Sequence, residues 1–127
     1  PKLMNEAEWY DVDVITCAAP NLRERPSNRF NQGNGDRAVK VSDRELLEIH
    51  KKRLTRILDV AVLNGDEAVI LGAFGCGAFQ NKPEVVARTA KEVIADYLYA
   101  FKTIEFAVYC PPRDDTNFKV FEWVMGA

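Results

Sequence analysis

Three stretches of the chain carry the hydrophobic pattern of β-strands. Residues 12–16 and residues 103–110 alternate apolar and polar side chains before they turn fully apolar. Residues 67–73 contain a continuous apolar run that begins at Ala68 and ends at Leu71. Alternation indicates a strand with one buried face, and a short continuous run indicates a strand buried on both faces. The pattern therefore predicts three strands.

A longer pattern with helical spacing occupies residues 42–65. Ser42 or Asp43 is suited to cap the first turn of a helix, because short oxygen-bearing side chains accept hydrogen bonds from free backbone N–H groups. Asn64 and Gly65 are typical of the point where a helix stops. The apolar residues predicted to share its inner face are Leu47, Leu54, Leu58, Ala61 and Val62.

Two more helices are predicted toward the end of the chain. One spans residues 83–101, with Asn81 as a suitable N-cap and Glu84 at the capping-box distance. The other starts at Asp114 or Asp115. The residues predicted to face the core are Val86, Ala90, Val93, Ile94, Tyr97, Leu98 and Phe101 in the first, and Phe118, Phe121, Trp123 and Val124 in the second.

The order of these elements predicts a single α/β domain over residues 1–127. Strands that alternate with helices favour a mostly parallel sheet with right-handed crossovers. A long polar basic loop, residues 22–41, separates the first strand from the first helix. Three parallel strands leave long unpaired edges and cover little core, so we expect polypeptide outside these 127 residues to complete the sheet.

Composition narrows the functional classes. The formal net charge of −2 gives no bulk electrostatic reason to bind DNA. No apolar run approaches the ~20 residues of a membrane-spanning helix. The three cysteines, Cys17, Cys76 and Cys110, are odd in number and far apart in the sequence. This usage predicts a reducing, cytoplasmic setting without a disulfide framework.

The segment most informative about function is Gly72-Ala-Phe-Gly-Cys-Gly-Ala-Phe79, which links the second predicted strand to the second predicted helix. Glycines allow the main chain to bend and to approach a ligand closely. The free N–H groups and the positive dipole end of the following helix favour an anion. Because no acidic residue occurs in residues 72–81, we expect the segment to bind a phosphate or a diphosphate.

Two familiar phosphate-binding patterns do not fit this segment. It lacks the Gly-Lys-Ser/Thr ending of a P-loop. A dinucleotide fingerprint counted from Gly75 needs a glycine or an alanine at position 80, where Gln80 stands. A tight turn that binds no ligand is also compatible with three closely spaced glycines. The pattern alone therefore leaves the ligand open.

The run Gly75-Cys-Gly-Ala-Phe79 resembles the diphosphate-binding loop of poly(ADP-ribose) glycohydrolases, most closely the microbial type, which has a macrodomain fold. Its flanks, from Ile70 to Pro83, strengthen the resemblance. Two further runs are similar to core strands of that family, namely Val14-Ile-Thr-Cys-Ala-Ala-Pro-Asn21 and Phe106-Ala-Val-Tyr109. The resemblance implies a three-layer, macrodomain-like sandwich, of which this chain would be the C-terminal part.

The same resemblance implies a site for ADP-ribose, with no metal and no cofactor. The glycine run would wrap the diphosphate and the distal ribose, which Phe79 would orient. Tyr109 would border or stack on the adenine, and base–aromatic stacking contributes ~1–3 kcal/mol per base. The implied partners are ADP-ribose, ADP-ribosylated proteins or poly(ADP-ribose). The residues implied to contact the ligand are Thr16, Ala18, Asn21, Gly75, Cys76, Gly77, Ala78, Phe79 and Tyr109.

The chain departs from this family at the catalytic segment. Family hydrolases carry a glycine-run loop followed by Gln-Glu-Glu, in which one glutamate protonates the leaving group at the glycosidic bond. The 127 residues contain no Glu-Glu pair and no Gly-Gly pair, and neither Gln32 nor Gln80 precedes an acid. No catalytic residue is therefore assigned, and we expect the catalytic acid in a missing N-terminal fragment or in a partner chain.

Two other functions stay open on the sequence. A non-catalytic module that binds ADP-ribose or a nucleotide fits the absent acid motif directly. A thiol enzyme would use Cys76, whose pKa a helix N-terminus could lower, with the only histidine, His50, as its base. However, His50 lies between Leu47 and Leu54 on the predicted inner face, which favours a core histidine. The spacing of the three cysteines disfavours a zinc site.

Overall fold

The computed structural model of the chain describes residues 2–24 and 39–126, in which helices and strands follow one another as α, β, α, β, α. The elements are α1 (Asp43–Asn64), β1 (Ala68–Leu71), α2 (Pro83–Ile94), β2 (Thr103–Phe106) and α3 (Thr116–Gly126). Short 3₁₀ turns occupy Glu6–Glu8 and Ala95–Tyr97. Most of the predicted basic loop, residues 25–38, lies outside the described residues.

Helix α1 begins and ends at local signals in the sequence. The Ser42 hydroxyl accepts a hydrogen bond from the Glu45 N–H at 3.2 Å, and the Glu45 carboxylate accepts one from the Ser42 N–H at 2.8 Å. This capping box pairs two backbone N–H groups that otherwise lack partners. Gly65 ends the helix at φ +81°, a left-handed conformation that glycine adopts without steric cost. The predicted limits of this helix are confirmed.

The buried face of α1 agrees with the predicted one at Leu54, Leu58 and Ala61 but not at Leu47 and Val62. Leu47 is only half-buried and Val62 is exposed, because the buried stripe passes through Leu46 instead. Successive helical residues are roughly 100° apart, so a stripe that contains the buried His50 must also contain position 46. The buried residues of α1 are Leu46, His50, Leu54, Leu58 and Ala61.

The two strands pair in parallel, as the alternation of strands and helices predicts. Ala68 pairs with Thr103, and Leu71 pairs with Phe106. Both strands are shorter than the predicted 67–73 and 103–110. A strand persists only where a neighbouring strand supplies hydrogen bonds, and here each strand has one neighbour among the described residues.

The predicted strand at residues 12–16 is not present in the structure. Residues 9–23 form neither helix nor strand, and Val12 and Val14 are exposed. The sequence does alternate, but a strand also needs a backbone partner and a covered face, and this segment has neither among the described residues. The sheet of the described residues therefore has two strands rather than the three predicted.

Helix α2 lies between two hydrophobic clusters. The sheet cluster joins α1, β1 and α2, and the loop cluster joins α2 and α3 to the segment after β1. The buried members of the sheet cluster are Leu54, Leu58, Ala61, Val69, Ala90, Val93 and Phe101. Those of the loop cluster are Cys76, Val86, Ala87, Phe121 and Val124.

Helices α2 and α3 confirm part of their predicted inner faces. Helix α2 ends at Ile94 rather than near residue 101, because the chain tightens into a 3₁₀ turn there, and Leu98 consequently points to solvent. Helix α3 starts at Thr116, and its aromatic residues Phe118 and Trp123 are exposed. A helix packed on one side buries a single stripe, so residues that flank the stripe stay outside the core.

The described residues thus form an α/β structure with a parallel sheet, which confirms the predicted fold class. None of their helices is long and apolar enough to cross a lipid bilayer.

Candidate functional site

The glycine loop, residues 72–82, joins the carboxyl end of β1 to the start of α2. Its backbone coils through two hydrogen bonds of 3.0 Å, from the Gln80 N–H to the Gly77 carbonyl and from the Asn81 N–H to the Gly75 carbonyl. Open parallel sheets bind ligands beyond the carboxyl ends of their strands. The loop therefore occupies the edge of the sheet where a ligand is expected.

Gly75 is the position in the loop that requires glycine. Its φ is +79°, and a Cβ built on it would lie 2.6 Å from the Ala19 Cβ and 2.8 Å from the Asn81 Nδ2. A side chain there would force the loop away from its neighbours. Gly77 has open space where its Cβ would point, so it leaves room for a ligand on the outer side of the loop.

Asn81 is the hydrogen-bond hub of the loop. It is 2% exposed, and its Nδ2 donates toward the carbonyl oxygens of Pro20, Gly75 and Phe79 at 2.7, 3.0 and 3.2 Å. The N-cap of α2 is Lys82, and no side chain caps that helix. The predicted Asn81 cap is therefore wrong: the amide turns away from the helix because three carbonyl oxygens converge on it from the other side.

His50 of α1 supports this hub. Its Nε2 lies 2.8 Å from the Asn81 Oδ1, and its ring meets the Phe74 ring edge-on with centroids 5.4 Å apart. His50 is buried, and burial lowers its pKa against the opposing effect of the Asn81 hydrogen bond. The position of His50 on the inner face of α1 predicts a core histidine, and this is confirmed.

Residues 18–24 lie beside the glycine loop and are called the wall. The Leu22 N–H donates to the Phe79 carbonyl at 2.9 Å. The Arg23 guanidinium carbon lies 5.9 Å from the centre of the Phe79 ring, a cation–π distance. Three groups of this wall, including the Pro20 carbonyl that receives the Asn81 amide, therefore contact the loop.

Asn21 lies in the same wall with a buried amide that has no partner. Neither its Nδ2 nor its Oδ1 forms a hydrogen bond within the described residues, although both atoms are shielded from solvent. An unpaired buried polar group costs about 1–3 kcal/mol. Because its neighbour Leu22 is bonded to the loop, this amide is suited to donate to, and accept from, a ligand bound there.

Three consecutive backbone N–H groups of the loop are available to a ligand. Those of Gly77, Ala78 and Phe79 donate to no carbonyl or side chain in the part of the chain that the structure describes. Gly77 and Ala78 are exposed and Phe79 is half-buried. Successive free N–H groups in a turn form a concavity that binds anions. The predicted residues from Gly75 to Phe79, with Asn21, therefore lie together.

Two predicted ligand contacts lie apart from the loop. Thr16 is exposed and borders a cavity of about 540 Å³ beside α1, near Arg53. Arg53 donates to the neighbouring Ala18 carbonyl at 2.6 Å. Tyr109 follows β2 and is 80% exposed. Among the described residues no hydrogen bond or ring contact joins Thr16 or Tyr109 to the loop, so their roles stay predictions.

Cys76 does not have the environment of a nucleophile. Its side chain is 9% exposed within the loop cluster, and burial, assisted by the charge of Glu84, raises its pKa to about 12. A reactive cysteine needs the opposite shift. His50, its proposed base, is bonded to Asn81 instead. The hypothesis of a thiol enzyme is therefore wrong, because desolvation outweighs any effect of the nearby helix terminus.

The cysteines also give no indication of a metal centre. Cys17, Cys76 and Cys110 are free thiols of very different exposure. Across residues 2–24 and 39–126, no three histidine, cysteine or carboxylate side chains are grouped as a metal ion would need.

A second feature, the open side, adjoins the start of the glycine loop at Gly72 and Phe74. It comprises residues 10–17, the free edge of β1 and the cavity of about 590 Å³ between them, which α1 and α2 also line. Ile70, at the centre of β1, lines this cavity and is 72% exposed. The arrangement is typical of a sheet edge that another element covers.

Sequence reasoning placed His50 in the core but missed that Asn81 is its partner. A signal was available, because a histidine on an inner helical face and an asparagine after a glycine-rich turn both need polar partners when buried. The sequence does not show that the two are partners across 31 positions.

Comparison with known proteins gives one group of matches. No protein-family model matches the chain, and no curated protein matches it. Among solved structures it is similar to poly(ADP-ribose) glycohydrolase from Deinococcus radiodurans in complex with ADP-ribose, with 31% identity and a TM-score of 0.62. The apo form of that enzyme gives 31% and 0.61, and a second crystal form of the complex gives 33% and 0.59. Each match covers 65% of this chain and 34% of the enzyme chain, so this chain spans about a third of its relative.

Proposed function

Because this chain is similar to a microbial poly(ADP-ribose) glycohydrolase over 65% of its length, we propose that its glycine loop binds the diphosphate of ADP-ribose. The Gly77, Ala78 and Phe79 N–H groups donate to the phosphate oxygens. The ring of Phe79 packs against the distal ribose and orients it. The observation that carries the proposal is the row of three free N–H groups in a loop without carboxylates.

The wall supplies the remaining contacts of the proposed site. The unpaired amide of Asn21 is satisfied by hydroxyl or phosphate oxygens of the ligand. The cation of Arg23 adds favourable electrostatics beside the diphosphate, since it already lies over Phe79. Tyr109 stacks on the adenine, and Thr16 lines the wall, once the ligand orders the exposed segments that hold them. ADP-ribose as ligand is supported by the relative that was crystallised with it.

Calorimetric titration with ADP-ribose tests the binding proposal, with AMP and ribose 5-phosphate as controls. We expect ADP-ribose to bind more tightly than either, because only it presents a diphosphate flanked by two riboses. Phe79→Ala should weaken binding about tenfold, as loss of one aromatic contact does. Arg44→Ala, a surface change at the start of α1, is the matched control. Equal affinity for ADP-ribose and AMP would contradict the proposal.

We further propose that the intact protein hydrolyses O-glycosidic ADP-ribose linkages. A glutamate supplied by polypeptide outside these residues protonates the leaving group, and water attacks the anomeric carbon. The similarity to a poly(ADP-ribose) glycohydrolase supports this step, and the three free thiols support a reducing, cytoplasmic setting. Release of ADP-ribose from poly(ADP-ribose) by the intact protein, and its absence for these 127 residues alone, is the expected result.

A non-catalytic ADP-ribose reader is the second candidate. The specific observation in its favour is the absence of any Glu-Glu pair in these 127 residues. One assay with the intact protein distinguishes the two candidates. Both bind ADP-ribose with the same affinity, but a reader releases none from poly(ADP-ribose).

The open side supports a proposal about the domain. We propose that residues 1–127 form one macrodomain-like unit whose sheet continues beyond β1 with further polypeptide, covalently joined or separate. The free edge of β1 and the apolar cavity beside it support this. Sedimentation of the 127-residue chain should show self-association, or its thermal denaturation should show non-cooperative unfolding. A monodisperse monomer that unfolds cooperatively would overturn the proposal.

A further inference from the structure

The contacts of Asn81 fix the orientation of its amide. Three carbonyl oxygens, those of Pro20, Gly75 and Phe79, surround one end of the side chain at 2.7, 3.0 and 3.2 Å. Carbonyl oxygens only accept hydrogen bonds, so the Nδ2 with its two hydrogens must occupy that end. The Oδ1 therefore faces His50, and the reversed amide would place oxygen against three oxygens.

The orientation of the amide fixes the tautomer of His50. The Asn81 Oδ1 accepts only, and it lies 2.8 Å from the His50 Nε2, so the Nε2 must carry a hydrogen. His50 is buried, and burial lowers its pKa, which favours the neutral ring. The edge-on contact with Phe74 holds the plane of the ring. A rigid donor thus points at the hub of the loop from α1.

We propose that His50 and Asn81 act as a positioning pair, in which the neutral His50 Nε2–H orients the Asn81 amide and the amide holds the glycine loop in its ligand-binding conformation. The pair joins α1, the wall and the loop at a single amide group. Gly75 and Phe79, whose carbonyls the amide binds, flank the three free N–H groups. The role in binding rests on the ADP-ribose function proposed above; the role in loop geometry does not.

The test uses substitutions at His50 in the full-length protein. His50→Leu keeps apolar volume but removes the donor, whereas His50→Gln keeps an N–H donor of similar reach. Thr89→Val is the matched control, because Thr89 is also fully buried and its hydroxyl is bonded within α2, to Val85, rather than to the loop. Melting temperature, the dissociation constant for ADP-ribose and amide hydrogen exchange in residues 72–82 are measured for each.

We expect His50→Leu to raise the dissociation constant about tenfold, since it leaves the buried Asn81 oxygen unpaired. His50→Gln should restore it to within about threefold of the unchanged protein. Thr89→Val should lower the melting temperature without changing the dissociation constant. Exchange in residues 72–82 should rise at least tenfold in His50→Leu only. Equal dissociation constants in His50→Leu and Thr89→Val, or unchanged exchange in the loop, would overturn the proposal.

A second variant and a spectroscopic signature test the pair independently. Asn81→Asp places a carboxylate oxygen against three carbonyl oxygens, so loop exchange should rise more than in His50→Leu. Long-range nitrogen–proton NMR should assign the signal that is lost in His50→Gln to an Nε2–H tautomer, and an Nδ1–H tautomer would overturn the proposal. If the unchanged protein binds no ADP-ribose, the proposed function fails, while exchange and tautomer still decide the positioning pair.

Discussion

The glycine loop and the open side differ in how many of their hydrogen-bonding groups and apolar surfaces have partners. In the loop, backbone turns, the Asn81 amide and the wall satisfy one another, and three successive N–H groups have no partner among the described residues. On the open side, one edge of β1 has no partner strand among the described residues and faces an apolar cavity. Residues 10–17, which also line that cavity, form neither helix nor strand. The contacts that shape the glycine loop are therefore complete within the described residues, whereas the sheet beside it still has an unpaired edge.

In the proposed function, this difference assigns ligand binding to the glycine loop and catalysis to further polypeptide. The groups suited to hold a diphosphate come from positions 75–81 and from the wall, which contact one another directly. The proposed hydrolysis takes its general acid from polypeptide outside these 127 residues, because the sequence lacks the Gln-Glu-Glu segment. Changes in the two regions should therefore act on different measurements: loop variants on ligand affinity, and open-side variants on assembly.

The largest loss of stability is expected for Gly75→Ala, which disrupts the glycine loop. A non-glycine residue at positive φ costs ~1–3 kcal/mol, and a methyl 2.6 Å from Ala19 adds a similar amount. In the intact protein we expect a loss of about 3 kcal/mol in the free energy of unfolding, measured by urea denaturation, and at least a tenfold loss of ADP-ribose affinity.

Gly77→Ala is the control for that change, because it adds the same methyl group in open space. It should cost less than about 1 kcal/mol of stability. Equal losses at the two glycines would mean that the close contacts of Gly75 do not hold the loop.

A smaller loss of stability is expected for Ile70→Lys, which tests whether the β1 edge on the open side is covered. In the assembled protein, defined as this chain with its proposed covering polypeptide, the charge would be buried, and we expect about 2 kcal/mol of destabilisation. Leu63→Lys, at an exposed aliphatic position of α1, should change stability by less than about 0.5 kcal/mol. Thermal unfolding of both variants provides the comparison; the same small shift in each would refute a covered β1 edge.

The smallest effect concerns pH and Cys76. Its pKa is raised from 9.0 to about 12 by burial, so folding favours the neutral thiol. The stability that this contributes is complete below pH 9 and is lost as pH rises toward 12. Between pH 9 and 10 we expect a loss of about 1 kcal/mol, which Cys76→Ser should lack. Alkylation at pH 8 should modify the exposed Cys110 and spare Cys76.

Elements with signals inside their own sequence were predictable. The limits of α1 followed from Ser42 and Gly65, since a cap and a left-handed stop depend on local chemistry alone. The glycine loop was predictable as a turn for the same reason, since its glycines lie within eleven residues of sequence, whereas the contacts that crowd Gly75 come partly from the distant Ala19. Fold class followed from the order of strands and helices.

Features that depend on distant partners were not predictable. The strand at residues 12–16 had the right alternation, but no local pattern reports whether a neighbouring strand is present to pair with it. On the inner face of α1, Leu47 was predicted where Leu46 is buried, because apolar spacing alone does not distinguish two adjacent leucines in the first turns of a helix. Likewise, the Asn81 amide donates to the Pro20 carbonyl, 61 positions away, and to two carbonyls of its own loop rather than capping the adjacent helix.

The bonds between the wall and the glycine loop have a consequence for the order of folding. Leu22 meets Phe79 across 57 positions, and Asn81 meets Pro20 across 61. Contacts of such sequence separation form only after the entropy of closing a long loop has been overcome, whereas the turns of α1 form locally. In refolding experiments, helical circular dichroism should therefore recover before the capacity to bind ADP-ribose, because the last groups to meet are those that build the site.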